Sequence, residues 1–401
     1  MTHRDDHSDA VFGDNESRRD FPNEFTDASV MYRIHPELRD LIVDRDWPAH
    51  VDSYIARRLP QLGLRVVSFR DVTLLVVTWP HTALDAGSIR DLLEAWSLAL
   101  AGKMDLIKPV LGAREDMAWN LAGKFLDDQL QPDFFKDRAL SGFSYFLFLL
   151  RFVWRMLTDR NHDKRVFLLP RAVLQRWRES GAQGIPIDAA TGKPTFISDA
   201  DLIAAWQVKL TAALLNRRTR CCVVGSINAR PLLSRANSED GVYLQNLIEL
   251  SHCSVLPDEA AGSFACVALA IRRELNQQLT EDQMIHHFRR VRQEREAGMG
   301  GGLPNFFCQR NDTVVMCNNL SGLRIASAID FGPAVLAGAD EGCSSGAVVN
   351  HVYTNVKIPG YVRPLFVIMD QNKAGYVISC DTPQTVWTMI EDEIGVGTAQ
   401  K

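Results

Sequence analysis

The eight residues from Val72 to Trp79 (VTLLVVTW) constrain the fold more than any other stretch. The run is almost continuously apolar, which predicts a strand buried on both faces. It breaks at Pro80-His81. Ile89, Leu92, Leu93, Trp96 and Leu100 then recur at helical spacing from about Ser88, and Gly102 is placed to stop that helix. His81 therefore sits on a turn between a buried strand and an amphipathic helix. Loops held by rigid elements commonly carry chemistry.

The same alternation continues along the chain. A helical pattern covers 35–62, with Leu38, Leu41, Ile42, Val51, Tyr54, Ile55 and Leu59 at its apolar positions. An aromatic helix spans 143–157. A strand at 165–169 closes on Pro170 and leads into a helix at 172–180. After the Gly- and Pro-rich stretch 181–194, Ser198 or Asp199 is placed to cap a long helix to Leu215. Further strands are predicted at 221–227, 313–318, 365–369 and 376–380. A last helix opens with Asp381-Thr382-Pro383, with the proline at the first helical position. Helices and strands alternating in both halves predict the α/β class. A length of 401 residues suits two domains. The expected division is a disordered polar tail at 1–30, a first domain at 31–180, a linker at 181–195 and a second domain at 196–401.

Several function classes are excluded at this stage. The net charge is −5 and no basic stripe is visible, which argues against nucleic acid. The charged start of the chain lacks an apolar core of the secretory kind, so a cytoplasmic location is expected. From Ala139 to Leu150 the chain holds only 12 uncharged residues before Arg151 and Arg155, against about 20 for a membrane span. A buried or groove-lining helix is predicted there instead. The cysteines (221, 222, 253, 266, 308, 317, 343 and 380) form no C-x-x-C pair and fit neither a disulfide framework nor zinc, so reduced, mostly buried thiols are expected.

The sharpest chemical signal is His81-Thr82-Ala83-Leu84-Asp85. Imidazole titrates near neutrality and suits a general base. Asp85, one turn later, can hold the loop. These two residues alone fit equally a loop histidine and a helix-capping aspartate. A second motif, Asp330-Phe331-Gly332, lies in the other half. The kinase reading of that triplet fails, because no H-R-D loop or V-A-I-K lysine accompanies it. The glycines at 298, 300, 301 and 302 are not followed by G-K-S/T, so they read as a loop rather than a phosphate cradle. His286-His287 lies on a charged helix and reads as surface rather than metal.

Taken in order, these motifs resemble those of the BAHD family of plant and fungal acyl-CoA-dependent acyltransferases. That family carries H-x-x-x-D-G in its first half and D-F-G-W-G in its second. Val166–Leu174 (VFLLPRAVL), Ser198–Leu210 (SDADLIAAWQVKL), Asn228-Ala229-Arg230, Gly241–Asn246 (GVYLQN) and Val315–Gly332 are similar to further family segments. The resemblance covers residues 65–395. Ala86 departs from the usual glycine, with Gly87 following, and Pro333 stands where the family has tryptophan. The resemblance implies a two-domain chloramphenicol-acetyltransferase-like fold, with mixed sheets, flanking helices and a channel between the halves. It implies His81 as the base and Asp85 turned away from the channel against Arg230. It further implies an oxyanion donor at Asn319 or Ser321, and structural roles for Asp330 and Gly332. No permanently bound cofactor or metal is expected. Acyl-CoA, carrying acetyl, is the co-substrate, and a hydroxyl or amine of an apolar small molecule is the acceptor. A monomer is expected. Family members usually have about twice as many residues before the histidine, which implies an open acceptor side suited to a bulky polycyclic metabolite. The rival readings are a condensation-type enzyme with carrier-bound substrates, a non-catalytic binding relative, and a cyclase or isomerase on the same fold.

Overall fold

The structure is a computed structural model and describes residues 2–7, 9, 31–33, 47–48, 50–70, 72–158, 162–189, 192–215, 219–233, 240–298, 307–334 and 365–395. The first half contributes β1 (Thr2–His7), β2 (Met31–Arg33), α1 (Val51–Arg57), β3 (Gly63–Phe69), β4 (Thr73–Thr78), α2 (Ala86–Leu100), β5 (Val110–Leu111), α3 (Met117–Ala122), α4 (Gly142–Thr158), β6 (His162–Pro170) and α5 (Arg171–Ser180). The second half contributes α6 (Asp199–Leu215), β7 (Cys221–Asn228), β8 (Val242–Tyr243), β9 (Ile248–Val255), α7 (Pro257–Ala261), α8 (Phe264–Gln278), α9 (Glu281–Glu296), β10 (Thr313–Asn319), β11 (Leu365–Gln371), β12 (Gly375–Pro383) and α10 (Gln384–Ile394). A seven-stranded mixed sheet runs β2-β6-β12-β11-β10-β7-β9. It draws strands from both sides of the 181–195 segment. A three-stranded sheet, β1-β3-β4, carries the H-x-x-x-D loop, and a short parallel pair, β5-β8, joins the halves.

The large sheet is buried on both faces, and β7 shows how. Cys221 and Val223 point into the main core with Trp206, Phe366 and Trp387. Cys222 and Val224 point the other way, against Phe148 of α4. Period-two alternation with apolar residues at every position is the signature of such a strand. Helix α6 lies across the main core, and Ile203 and Val208 are fully buried on it. Ser198 and Asp201 cap its start reciprocally: Ser198 N–H donates to Asp201 at 2.6 Å, and Asp201 N–H to Ser198 Oγ at 3.2 Å.

Three expectations need correction. The run at 72–79 holds strand β4, but among the described residues that strand is the edge of the small sheet, paired only with β3, and Leu75 is 37% exposed. Apolar content does not reveal how many neighbours a strand finds. Residues 2–7, expected in a disordered tail, form β1 parallel to β3, fixed by the Arg65–Asp5 ion pair at 2.6 Å and by His7 stacked on Phe69. Pro383 is the N-cap of α10 rather than its first residue, because Asp381 and Thr382 remain in β12. The 34–46 part of the first predicted helix, the 299–306 part of the glycine-rich loop and Cys343 lie outside the described residues. No helix among the described residues is long and apolar enough to cross a membrane.

His252 on β9 makes the fold sensitive to acid. Its ring is wedged between Phe135 and Phe307 at 5.8 and 5.2 Å. Burial, opposed by a contact with the Leu250 carbonyl and aided by the nearby His287 and Arg290, pushes its pKa down to about 4. Between its ordinary value of 6.5 and about 4 the unfolded chain takes up a proton that the folded chain refuses. The stability from this residue is therefore complete above 6.5 and falls with pH, by up to about 3 kcal/mol at pH 4. Urea unfolding across that range should show the decline in the wild-type protein and a shallower one in His252→Gln. Parallel slopes would reject the assignment.

Candidate active site

The loop that follows β4 is built to hold its backbone still. Ala83 N–H donates to the Pro80 carbonyl at 2.9 Å, closing a tight turn around His81. Trp79 Nε1 donates to the Leu84 carbonyl at 3.1 Å. Asn246 Nδ2 donates to the His81 carbonyl at 2.7 Å. Asp85 then caps α2, extended at φ −97° with its carboxylate accepting from Ser88 N–H. The His81 side chain is exposed, and its imidazole makes no hydrogen bond among the described residues. The main chain at His81 is fixed, while the ring remains free to meet a ligand.

Behind this loop the Asp85 carboxylate and the Arg230 guanidinium are fully hydrogen-bonded. Asp85 Oδ1 accepts from Ser88 N–H at 2.9 Å and from Ser88 Oγ at 3.0 Å. Its Oδ2 accepts from Leu247 N–H at 2.8 Å and from Arg230 Nη1 at 3.0 Å. Arg230 uses its whole guanidinium fork. Nε donates to the Tyr243 carbonyl at 3.0 Å and Nη1 also to Asn228 Oδ1 at 3.2 Å. Nη2 donates to Ser88 Oγ at 2.8 Å and to the Gln245 carbonyl at 2.6 Å. That matches the five donors arginine possesses. The Asp85 side chain is 2% exposed and that of Arg230 15%. Burial alone would raise the Asp85 pKa. The Leu247 N–H and the Arg230 charge outweigh it and hold the carboxyl below its ordinary value. Asp85 is thus both a helix cap and one half of a buried ion pair. Gly87 keeps the approach open, since a Cβ there would stand 3.1 Å from Arg230 Nη1.

The structure therefore brings Asp85, Arg230, the Asn228 segment and the Gly241–Asn246 segment together at His81. Residues that sequence reasoning did not single out complete the clamp: Ser88, Leu247 and Asn246. Asn246 stood inside the quoted GVYLQN segment, and Ser88 follows Asp85 at capping-box distance, so both left a trace in the sequence. Leu247 acts through its backbone and left none.

The remaining candidates divide. Asn319 Oδ1 accepts from both Ser321 N–H at 3.0 Å and Ser321 Oγ at 2.7 Å. The Ser321 hydroxyl is thereby committed and buried, whereas the exposed Asn319 keeps its amide N–H donors without a described partner. Asp330 and Gly332 form a turn docked near the C-terminal end of α2. Asp330 N–H donates to Ser97 Oγ at 2.9 Å, Gly332 N–H to Asp330 Oδ1 at 2.8 Å, and Phe331 meets Trp96 edge-on at 5.1 Å. A cavity of about 790 Å³ lies on the Arg230 side of the clamp, lined by Gly87, Arg90, Tyr243 and Arg324 among others. His81 is not among the residues that line it. His287 pairs with Glu249, and His286 Nε2 meets the Gln131 carbonyl at 2.8 Å. No cluster of metal-ligating side chains occurs among the described residues. Burial pushes the thiols of Cys253 and Cys317 up to about 12, which removes them as nucleophiles at neutral pH.

No family model matches the chain. It is 27% identical over 381 residues to "Acetyltransferase BOT5" of Botryotinia fuckeliana, covering 89% of this chain and 69% of that protein. It is 24% identical over 384 residues to "O-acetyltransferase PaAT-2" of Phomopsis amygdali, covering 92% and 77%. Among solved structures it is similar to TRI101 of F. sporotrichioides in complex with coenzyme A and T-2. That match has a TM-score of 0.62 and 14% identity, over 99% of this chain and 80% of the other. The fold is thus that of the coenzyme A-dependent acyltransferases, with mixed sheets and flanking helices.

Proposed function

We propose that this chain is an acyl-CoA-dependent O-acyltransferase of the BAHD type, with His81 as general base. One observation carries the reading: the backbone around His81 is pinned on three sides while its imidazole is left unbonded and exposed. A general base needs this combination, a main chain held in place and a ring open to the acceptor. The similarity to fungal acetyltransferases, one of them named for transfer to oxygen, supports acyl-CoA as donor and a hydroxyl as acceptor. The acceptor is a small apolar molecule.

In this reading a ring nitrogen of His81 takes the acceptor's hydroxyl proton as the oxygen attacks the thioester carbonyl carbon. The new C–O bond leaves a tetrahedral oxyanion, which Asn319 Nδ2 is the candidate to receive. Collapse breaks the C–S bond, and the imidazolium returns its proton to the departing thiolate. Asp85 takes no proton. It keeps the loop in place through Ser88, Leu247 and Arg230. Incubation with acetyl-CoA and a panel of hydrophobic alcohols, followed by mass spectrometry, should give acetyl esters and free coenzyme A. Turnover only with carrier-bound acyl groups would favour a condensation-type enzyme. Coenzyme A binding without turnover would favour a non-catalytic relative.

The two oxyanion candidates are separable. Asn319→Ala is expected to lower kcat by about 10²–10³-fold, the cost of one missing oxyanion donor. Ser321→Ala should cost less, since its hydroxyl only positions the asparagine. Steady-state kinetics decide it, and equal effects, or a larger effect at Ser321, would reverse the assignment.

A further inference from the structure

A β-bulge near the end of β11 decides which way Asp370 points. Ile368 pairs with Ile378 of β12, but the next pair is Asp370 with Val377, so Met369 is an extra residue. Val377 faces away from the main core, beside Val166 and Leu168. Paired residues share a face of the sheet, so Asp370 lies there too. Without the bulge Met369 would stand opposite Val377, and the carboxylate would turn toward the main core. Bulges that re-aim a side chain are frequent next to active sites.

The same face carries Asn318 of β10. It continues the alternation of Val314 and Met316, which pack with Phe148, and it pairs with Val367 of β11. Val367 in turn pairs with Ser379, two residues beyond Val377 on β12. Asn318 and Asp370 are therefore diagonal neighbours on adjacent strands, within reach of one small group. Both are half-buried. Asn318 Oδ1 accepts from Ser226 N–H at 3.2 Å, which fixes the amide and leaves Nδ2 without a described partner. Asp370 Oδ1 accepts from the adjacent Gln371 N–H at 2.8 Å, and no cation pairs with the carboxylate among the described residues. Burial pushes its pKa up, against the pull of that N–H. A fixed donor and an uncompensated acceptor thus stand together on a face that is otherwise mostly apolar there, with Val367, Val377 and Leu168. Polar groups so placed cost stability unless something completes them. A hydroxyl does so, accepting from Asn318 Nδ2 and donating to Asp370. The phosphates of an acyl-CoA would be repelled by the same carboxylate, which favours the acceptor over the donor as its source. Asn319, the oxyanion candidate, is the next residue of β10.

We propose that Asn318 and Asp370 form a specificity subsite for a second hydroxyl on the acceptor, so that the preferred acceptor is a diol on an apolar skeleton. The proposal rests on the acyl-transfer reading. Its test is kinetics with acetyl-CoA and a panel of cyclic diols, each set against the monohydric alcohol of the same skeleton. The wild-type chain should favour the best diol in kcat/KM by at least about tenfold, as a hydrogen bond to a charged group allows. Asp370→Ala and Asn318→Asp should each bring that ratio close to one. The aspartate at 318 still accepts from Ser226 N–H while removing the donor. Thermal melting checks that the variants are folded, and Asp370→Asn serves if the alanine variant is not. A wild-type ratio near one throughout the panel overturns the proposal. So does a ratio that survives in both variants, or a change confined to the KM for acetyl-CoA. If no alcohol is acetylated, the acyl-transfer reading falls. Calorimetric affinities of diol and monohydric alcohol for the wild-type chain and the variants then decide the subsite by the same ratio.

Discussion

His81→Ala should lower turnover with acetyl-CoA and a hydroxyl acceptor by about 10²–10⁴-fold, the usual contribution of a positioned general base. Coenzyme A affinity and melting temperature should hardly move. The His81 carbonyl, not its ring, carries the bond to Asn246, and alanine retains it. Because the lost interaction is formed only in the transition state, kcat and kcat/KM should fall together. Titration calorimetry with coenzyme A separates loss of chemistry from loss of binding. A variant of wild-type rate would refute the assignment. A loss of rate accompanied by lower melting would show a structural role instead.

The second large effect lies behind the loop. Arg230→Ala strands the Asp85 carboxylate in a site where it is 2% exposed, and Asp85→Asn turns an amide toward a guanidinium that can only donate. Breaking a buried pair from one side costs about 3–5 kcal/mol. Both variants should therefore melt lower and turn over more slowly, unlike His81→Ala. Acid should imitate them. The folded-state pKa of Asp85 lies below its ordinary 3.8, so its stabilisation is complete above that value and is lost as pH falls through the lowered one. Denaturation curves from pH 5 downward should be steeper for wild type than for Asp85→Asn. Unchanged melting in both variants would reject the clamp.

How much of this could be read in advance depends on distance along the chain. The α/β alternation, the helix after His81 and the stop at Gly102 are local, and local spacing revealed them; Gly102 adopts φ 71° as a helix terminator. Strand β3 escaped notice because its partly buried pattern is not periodic enough to stand out. The edge position of β4 depends on its neighbours and not on its own residues. The meeting of Asp85 with Arg230 came from motif order. The bond from Leu247 is main-chain and leaves no residue-type signature. Asn319 and Ser321 were equal by position, and only their mutual hydrogen bonds rank them.

The clamp also bears on the order of folding. Asp85 and Arg230 are 145 residues apart, and the Leu247 bond spans 162. Closing so long a loop in a flexible chain costs about 4 kcal/mol of entropy before any contact is gained. A single ion pair does not cover that and cannot serve as a nucleus. It locks only after the sheets have brought its partners near. Substitutions at Asp85 or Arg230 should accordingly speed unfolding and leave the folding rate almost unchanged. The geometry around His81 is then expected to form late in folding, and stopped-flow folding and unfolding rates of the two variants test it.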